Sequence, residues 1–439
     1  EDIFCYDIKR FQKFHSDLSF IKKRITESLG DLYGMHWPFK QHKTSRNIKT
    51  LPYHDELKSF GACFGVSGGY ERPMWFALDG EKTEYEYSYN YQNWYPSAEY
   101  ETNNTVKNVG LFDLTPFSKF EIKSDKAHKE LQKICTANIK NEVGKCIYTH
   151  MLNPDGGIET DLTVVCIEKD HFRIISSAAT RERDKFHIKK YLAKDIELKD
   201  VTDDFCVFGV FGPKSRALMK SISKDDFEND EFRFGTAKYI SIEGIKIWTQ
   251  RLSYVGELGF ELYVRSKDAK KIYELLIDKG KDFNLSNCGM HAMDIMRMES
   301  GFLHWGHDIS PEENQYQAGL SFTISSKKED EFIGKRALEK IKKEKIKSRF
   351  AMFTLKDSKP GEPLLLHDEP IYLENNIIGR STSGNYSFNF KKNLAFGYIN
   401  NDISNNELHK KDLFIEVEKK KYPIEIIIKP LKQTNFKNN

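Results

Sequence analysis

Apolar residues recur every three or four positions near the start of the chain, with lysines and arginines between them: Phe11, Phe14, Leu18, Ile21 and Ile25. This spacing predicts an amphipathic helix over 7–29. Residues 30–52 lose the pattern, and 55–61 leave room for one or two helical turns. Glycines punctuate the stretch from Gly61 to Gly69, which predicts a loop.

The middle of the chain alternates strand-like and helix-like patterns. Runs rich in β-branched and aromatic residues predict strands over 110–123, 146–152, 161–167, 171–176, 205–211, 238–252 and 258–264. Helical spacing predicts helices over 125–135, 180–192, 214–222, 267–279 and about 289–300. Because runs of strands are separated by helices and several turns have hairpin length, the pattern favours an α+β fold over a doubly wound sheet.

A different pattern follows a lysine-rich helix and linker at 335–347. Short strands separated by turns are predicted over 349–355, 370–375, 377–382, 394–399, 412–419 and 422–429. They predict a small C-terminal β-barrel or sandwich. We therefore divide the chain into a segment 1–52, a main domain 53–335 and a C-terminal domain 348–430, and expect the polar tail 432–439 to fray.

Composition excludes several classes of protein. The 439 residues include 13% aromatics and no long apolar run, so neither a disordered protein nor a membrane span is expected. The formal net charge of +3 does not indicate a nucleic-acid partner. The cysteine count of seven is odd and no pair has C-x-x-C spacing, which argues against structural zinc and a disulfide framework. We expect a reducing compartment: the bacterial cytoplasm, or the mitochondrial matrix in a eukaryote.

The sequence also lacks several common motifs. It has no G-x-G-x-x-G after a strand, no phosphate-binding P-loop, no H-E-x-x-H and no G-x-S-x-G. Dinucleotide binding, phosphoryl transfer, zinc hydrolysis and serine hydrolysis by this chain are therefore disfavoured. The chain starts at Glu1 without a signal-peptide pattern, and we expect it to be processed or to be a piece of a longer protein.

Two segments place carboxylates in otherwise apolar strands. In the first, Tyr148 precedes a glycine turn and Asp161 opens the run Leu-Thr-Val-Val-Cys-Ile. A carboxylate at the mouth of a buried strand costs free energy unless it is bound, so Asp161 is either a site residue or a turn cap. In the second, Arg251, Tyr254 and Glu261 surround two glycines. Glu261 would need N–H donors if buried, and a heterocycle with amino groups supplies them; a plain internal ion pair with Arg251 is the alternative.

Two further segments allow a structural explanation. Methionines at 290, 293, 296 and 298 favour a helix core over a cofactor contact, while Trp305 sits in a turn with its ring available. Gly379-Arg-Ser-Thr-Ser-Gly384 leads a strand into a glycine turn, for which a structural role is favoured.

Taken in order, the four segments resemble the aminomethyltransferase family, which includes the glycine cleavage T protein and the folate domains of dimethylglycine and sarcosine dehydrogenases. The similarity covers roughly 53–430, and Gly110-Leu-Phe-Asp113, Val210-Phe-Gly212-Pro213 and the stretch 391–398 support it. The resemblance implies an aminomethyltransferase-like folate-binding domain followed by a small β-barrel.

The resemblance also implies roles for individual residues. Asp161 matches the catalytic aspartate that faces the reactive folate nitrogens, and Glu261 matches the glutamate that binds the pterin. The implied cofactor-binding residues are Tyr148, Ser177, Arg251, Tyr254, Glu261 and Trp305. Met293, Ser177 and Gln317 depart from the T-protein pattern, where an arginine, an asparagine and a glutamate stand.

The departures agree with the dehydrogenase branch of the family. Ala292-Met293-Asp-Ile-Met-Arg297-Met-Glu299, the stretch 69–76 and the stretch 332–338 resemble that branch, and 1–52 resembles the segment that joins its flavin domain to its folate domain. This implies tetrahydrofolate as cofactor, FAD in a preceding domain absent from this chain, and a small N-methyl amine as substrate, with the methyl-derived carbon captured as methylenetetrahydrofolate. The alternatives are a stand-alone tetrahydrofolate-dependent aminomethyltransferase or demethylase without flavin, and a non-catalytic protein of the same fold.

Overall fold

The computed structural model describes residues 3–328, 331–433 and 436–438. Its helices are α1 Leu18–Asp31, α2 His54–Ser59, α3 Tyr95–Lys107, α4 Ala127–Ile134, α5 Arg181–Tyr191, α6 Ser215–Ile222, α7 Ala269–Gly280, α8 Met290–Glu299, α9 Lys335–Lys343 and α10 Asn405–Lys410. In the described residues, no helix is both long and apolar enough to cross a membrane.

Strands and helices are interspersed up to β13, and the last six strands form a separate group. They are β1 Ala62–Ser67, β2 Tyr70–Phe76, β3 Val109–Asp113, β4 Ser118–Lys123, β5 Cys146–Leu152, β6 Ile158–Glu168, β7 His171–Ser176, β8 Lys199–Asp200, β9 Phe205–Phe211, β10 Ala237–Ile242, β11 Ile245–Gln250, β12 Gly259–Arg265, β13 Leu285–Cys288, β14 Ser348–Leu355, β15 Pro370–Leu373, β16 Asn376–Ser387, β17 Lys392–Asn400, β18 Leu413–Val417 and β19 Lys420–Ile427. The predicted α+β class is confirmed.

The first helix begins later than its periodicity predicts. Residues preceding Asp17 form short 3-10 turns, and α1 starts at Leu18. Asp17 has an extended backbone, and its carboxylate accepts the N–H of Phe20, which makes it an N-cap. The helix predicted over 7–29 was therefore wrong over its first half, because a capping residue begins a helix rather than continuing one.

The structure corrects one loop prediction, which was based on glycines, and two predictions of long strands. The predicted loop from Gly61 to Gly69 is the hairpin β1–β2, whose turn holds Gly68 and Gly69 at positive φ. The predicted strand 238–252 is the hairpin β10–β11, with Glu243 and Gly244 both at positive φ in its turn. The predicted strand 110–123 divides into β3 and β4, which belong to different sheets.

A mixed sheet, an antiparallel sheet and a barrel organise the chain. The six-stranded sheet has the order β10-β11-β12-β9-β3-β13, and the five-stranded sheet has the order β5-β6-β7-β4-β8. The strands β14-β17-β16-β15-β18-β19 close into the barrel predicted from the sequence, around fully buried Phe353, Ile371 and Ala395. The barrel therefore has no free sheet edge.

The two sheets face each other across one hydrophobic cluster. Val165 of the five-stranded sheet shares this cluster with Trp248 and Tyr263 of the six-stranded sheet. Ile247 and Leu262, the strand neighbours of those two aromatics, pack on the opposite side of the six-stranded sheet. Because side chains alternate along a strand, every second residue of β6, β11 and β12 points into the space between the sheets.

The tail returns to the main domain. Lys432 lies 2.6 Å from the carboxylate of Glu257, and its backbone N–H donates to the carbonyl of Glu299. The Phe436 ring packs edge-on against Phe234. The expectation of a frayed tail was therefore wrong for the described tail residues, because a buried ion pair holds them.

Candidate functional site

Asp161 lies on β6 on the surface that faces the other sheet, two and four residues before Thr163 and Val165. It pairs across β5 with His150, and its Oδ1 lies 3.9 Å from His150 Nε2. The hydroxyl of Tyr148 lies 3.3 Å from the same nitrogen. Two neighbouring strands thus bring a carboxylate, an imidazole and a phenol to one point on the sheet. Sequence reasoning missed His150, although its position two residues after Tyr148 places it on the same face.

Burial gives Asp161 an unusual ionisation. It raises the pKa of the carboxyl from 3.8 to about 7, the nearby Asp184 acts in the same direction, and the hydrogen bond with Tyr148 opposes them. The side chain keeps 19% of its surface accessible. Burial also lowers the pKa of His150 to about 3, so the imidazole is neutral at pH 7. Asp161 can therefore both take and give a proton near neutrality.

Ser177 extends the row of side chains formed by His150 and Asp161 across neighbouring strands. The pairing of β6 with β7 ends at Leu162 and Ser176, and the same register places Ser177 opposite Asp161. Its carbonyl accepts the hydroxyl of Ser118 at 2.9 Å, which fixes the backbone there. The row therefore runs from β5 across β6 to the end of β7.

Glu261 lies on the facing sheet. It pairs with Gln250 of β11 on one side and Gly209 of β9 on the other. The Tyr263 hydroxyl donates to Glu261 Oε2 at 3.1 Å. Burial raises the pKa of Glu261 from 4.5 to about 7, and this hydrogen bond lowers it only in part. A carboxylate accepts more than one hydrogen bond, so Glu261 can still receive N–H donors from a ligand.

Tyr254 packs against the hydrophobic cluster between the sheets. Its hydroxyl donates to the carbonyl of Leu303 at 2.9 Å, and its ring stacks on Phe302 with centroids 6.0 Å apart. Burial raises its pKa, so it stays a neutral phenol, and the charge of Asp161 acts in the same direction. Met293, where T proteins carry an arginine, is buried in the cluster between the sheets. The walls of this space are thus aromatic and apolar, and its polar groups are few.

Two of the residues predicted to contact a ligand have hydrogen-bond partners within the chain. The guanidinium of Arg251 donates to the carbonyl oxygens of Phe232 at 2.5 Å and Lys437 at 3.4 Å, so it holds backbone and tail together. Glu257, the other carboxylate of that segment, pairs with Lys432. The indole N–H of Trp305 donates to the carbonyl of Ile158 at 3.0 Å, three residues before Asp161 on the same strand. Trp305 therefore supports β6.

A buried polar network connects the last two sequence segments. Arg297 of α8 donates to Asp308 at 2.5 Å and to Ser383 of the barrel at 2.9 Å. Thr382 donates to the same Asp308 carboxylate at 2.6 Å. The sequence favours a structural role for both segments, and the structure shows one network that joins the main domain to the barrel. Arg297 also donates to the carbonyl of Phe302, whose ring stacks on that of Tyr254.

Family comparisons agree with this geometry. Residues 53–328 match the family described as GCVT N-terminal domain, and 349–432 match the glycine cleavage T-protein C-terminal barrel domain. Residues 1–50 match the FAD dependent oxidoreductase central domain. A solved glycine cleavage system aminomethyltransferase T from Bartonella henselae has a TM-score of 0.74, is 21% identical, and covers 88% of this chain and 98% of its own; at that identity it shows the fold alone.

Two curated relatives match nearly the whole chain. The 4-methylaminobutanoate oxidase (formaldehyde-forming) of Paenarthrobacter nicotinovorans is 34% identical over 98% of this chain and 51% of its own length. Human mitochondrial dimethylglycine dehydrogenase is 32% identical over 100% of this chain and 50% of its own length. The chain thus spans about half the length of these relatives. It belongs to the aminomethyltransferase family of the glycine cleavage T protein, and is an aminomethyltransferase-like chain related to the dimethylglycine and sarcosine dehydrogenases.

Proposed function

We propose that this chain is the tetrahydrofolate-binding part of a flavin-dependent N-demethylating enzyme, where it captures the methyl-derived carbon as methylenetetrahydrofolate. The observation that carries the proposal is the placement of two protonatable carboxyl groups, Asp161 and Glu261, on facing sheets with apolar walls between them. The site's donors and acceptors fit a pterin. Glu261 has spare acceptor capacity, and beside it lies the buried carboxamide of Gln250, which has no partner within the described part of the chain.

Each residue would have a distinct task. Glu261 would accept the N–H donors of the pterin edge, and Tyr148 and Tyr254 would wall the ring. Asp161 would hold and release a proton beside the reacting nitrogen, because its pKa lies near 7. When bound, tetrahydrofolate supplies the nucleophilic nitrogens that take up a one-carbon unit at the oxidation level of formaldehyde.

The match of 1–50 to an oxidoreductase central domain favours the flavin-linked alternative. The same segment exposes large apolar side chains, including Tyr33 at 98%, Tyr6 at 86% and Leu18 at 80%. Such a surface is typical of a protein–protein contact. The sequence offers no G-x-G-x-x-G loop, so we assign amine oxidation to an oxidoreductase part outside this chain.

The test is a calorimetric titration of the purified chain with tetrahydrofolate under reducing conditions, preceded by an absorbance scan for flavin. We expect saturable binding without flavin absorbance. Asp161→Asn should keep most of the binding and lose one-carbon capture when the oxidoreductase part and an N-methyl amine are supplied. No binding by a folded chain would contradict the proposal. One-carbon capture from a methylene donor without any flavoprotein would favour the stand-alone alternative.

A further inference from the structure

Gln250 is the last residue of β11, and it is fully buried, with 0% of its surface exposed. Neither the nitrogen nor the oxygen of its carboxamide has a hydrogen-bond partner among the described residues. A buried amide group without a partner is costly, and most buried polar groups in folded proteins are paired. A side chain in this state can take a partner from outside the chain if it faces a ligand site.

The strand register shows where the carboxamide points. Gln250 pairs directly with Glu261, as Trp248 pairs with Tyr263 two residues away. Paired residues in antiparallel strands share one face of the sheet, so Gln250 and Glu261 both point into the space between the sheets. Thr249 points the opposite way, because it pairs with Leu262, which packs on the other side of the sheet.

The two side chains offer complementary chemistry. The Glu261 carboxylate only accepts hydrogen bonds when ionised, so it cannot bind a carbonyl oxygen. The Gln250 carboxamide offers N–H donors and a carbonyl acceptor. Together they can bind a heterocycle whose edge carries amino or ring N–H groups next to a carbonyl, which is the donor and acceptor pattern of a cyclic amide.

We propose that Gln250 is a specificity-determining ligand contact: its carboxamide binds the cyclic-amide edge of the reduced pterin that Glu261 holds. This inference rests on the proposed function, because it takes tetrahydrofolate as the ligand. Binding supplies the partners that Gln250 lacks among the residues that the structure describes. The residue therefore lowers the stability of the free chain and strengthens ligand binding.

The test compares Gln250→Met, which keeps length and removes both polar atoms, with Thr249→Val as the matched control. Thr249 is also fully buried, and its hydroxyl also lacks a partner in the described residues, but it faces the opposite core. We expect Gln250→Met to weaken tetrahydrofolate binding about ten-fold, the effect of losing one or two hydrogen bonds. The melting temperature of its ligand-free form should be equal to or above that of the wild type.

Thr249→Val should leave the dissociation constant unchanged. The inference is overturned if Gln250→Met binds tetrahydrofolate as the wild type does, or if it weakens binding only in proportion to a lower ligand-free melting temperature. Gln250→Leu repeats the measurement if the methionine variant does not fold. If the folded wild type binds no tetrahydrofolate, the proposed function and the inference are both rejected. This outcome differs from tetrahydrofolate binding that Gln250→Met leaves unchanged, which rejects the inference alone.

Discussion

Arg297 Nη2 donates to Ser383 Oγ at 2.9 Å, so the helix beside the site and the C-terminal barrel share a buried hydrogen bond. The same guanidinium binds Asp308, which also accepts the hydroxyls of Thr382 and Ser383. Because Asp308 has no exposed surface, removing one of these partners would leave a buried polar group without its hydrogen bond. The barrel is thus held to the main domain by a network that also reaches the carbonyl of Phe302, whose ring stacks on Tyr254.

Breaking this network should destabilise the chain strongly. We expect Asp308→Asn to lower the free energy of unfolding by about 3 kcal/mol, because it leaves Arg297 with an incomplete set of anionic partners. Ser383→Ala should cost about 1 kcal/mol, the value of one buried hydrogen bond. Urea unfolding followed by circular dichroism measures both. Lys82→Ala, which removes an exposed ion pair with Glu86, is the control and should change nothing measurable. Equal effects of Asp308→Asn and the control would contradict this account.

The stability of the ligand-free chain should depend on pH through Asp161. Its pKa is about 7 in the folded chain and 3.8 as the ordinary value, so the folded form retains a proton that the unfolded form releases. The stabilisation that this bound proton gives the folded chain is complete below pH 3.8 and is lost as the pH rises towards 7. The loss amounts to roughly 1.4 kcal/mol per pH unit for a fully titrating group.

Asp161→Asn removes this titration. We therefore expect the variant to lose less stability than the wild type when urea unfolding is compared at pH 5 and pH 7. Comparing the two proteins isolates this group, because other buried carboxyl groups such as Glu101 also have raised pKa values. Parallel pH profiles for wild type and variant would show that Asp161 titrates normally.

Much of this site could be predicted from the sequence, and the reason is local. Asp161 and Glu261 stand out because carboxylates interrupt apolar strands, and strand alternation predicts which residues share their face. His150 and Gln250 could not be selected in the same way. Their importance depends on the registers β5–β6 and β11–β12, which pair residues that no single strand pattern connects.

The two predictions that placed Arg251 and Trp305 in contact with a ligand depended on the family resemblance. In the structure, both side chains donate to backbone carbonyl groups. Nothing in a one-dimensional pattern indicates that the tail carbonyl of Lys437 lies beside Arg251, because the two are far apart in sequence. Contacts between segments that are distant in sequence thus could not be predicted from periodicity.

Arg251 should therefore matter for stability rather than for ligand binding. We expect Arg251→Met to lower the free energy of unfolding by about 2 kcal/mol, because it leaves the carbonyl groups of Phe232 and Lys437 without a charged donor. The dissociation constant for tetrahydrofolate should change less than two-fold, roughly the effect of a residue without ligand contact. Thermal unfolding and calorimetric titration of the same preparation measure both. If Arg251→Met is stable but binds tetrahydrofolate much more weakly, the prediction is wrong and Arg251 contacts the ligand, as the family resemblance implies.

Glu261 should make tetrahydrofolate binding depend on pH. Its pKa is about 7 in the free chain, and N–H donors bind the ionised form, so ligand binding should lower the pKa and release a proton. We expect affinity to rise between pH 6 and pH 8, where the carboxyl group loses its proton. Titrations in two buffers of different ionisation enthalpy measure the proton release.

Glu261→Gln should weaken binding by roughly ten- to a hundred-fold, as expected for loss of a charge-assisted hydrogen bond, and should abolish its share of the proton release. Asp161→Asn is the informative comparison, because it removes the other titrating carboxyl group and leaves this one in place. If Glu261→Gln keeps the full proton release, a different group takes up the ligand's N–H donors.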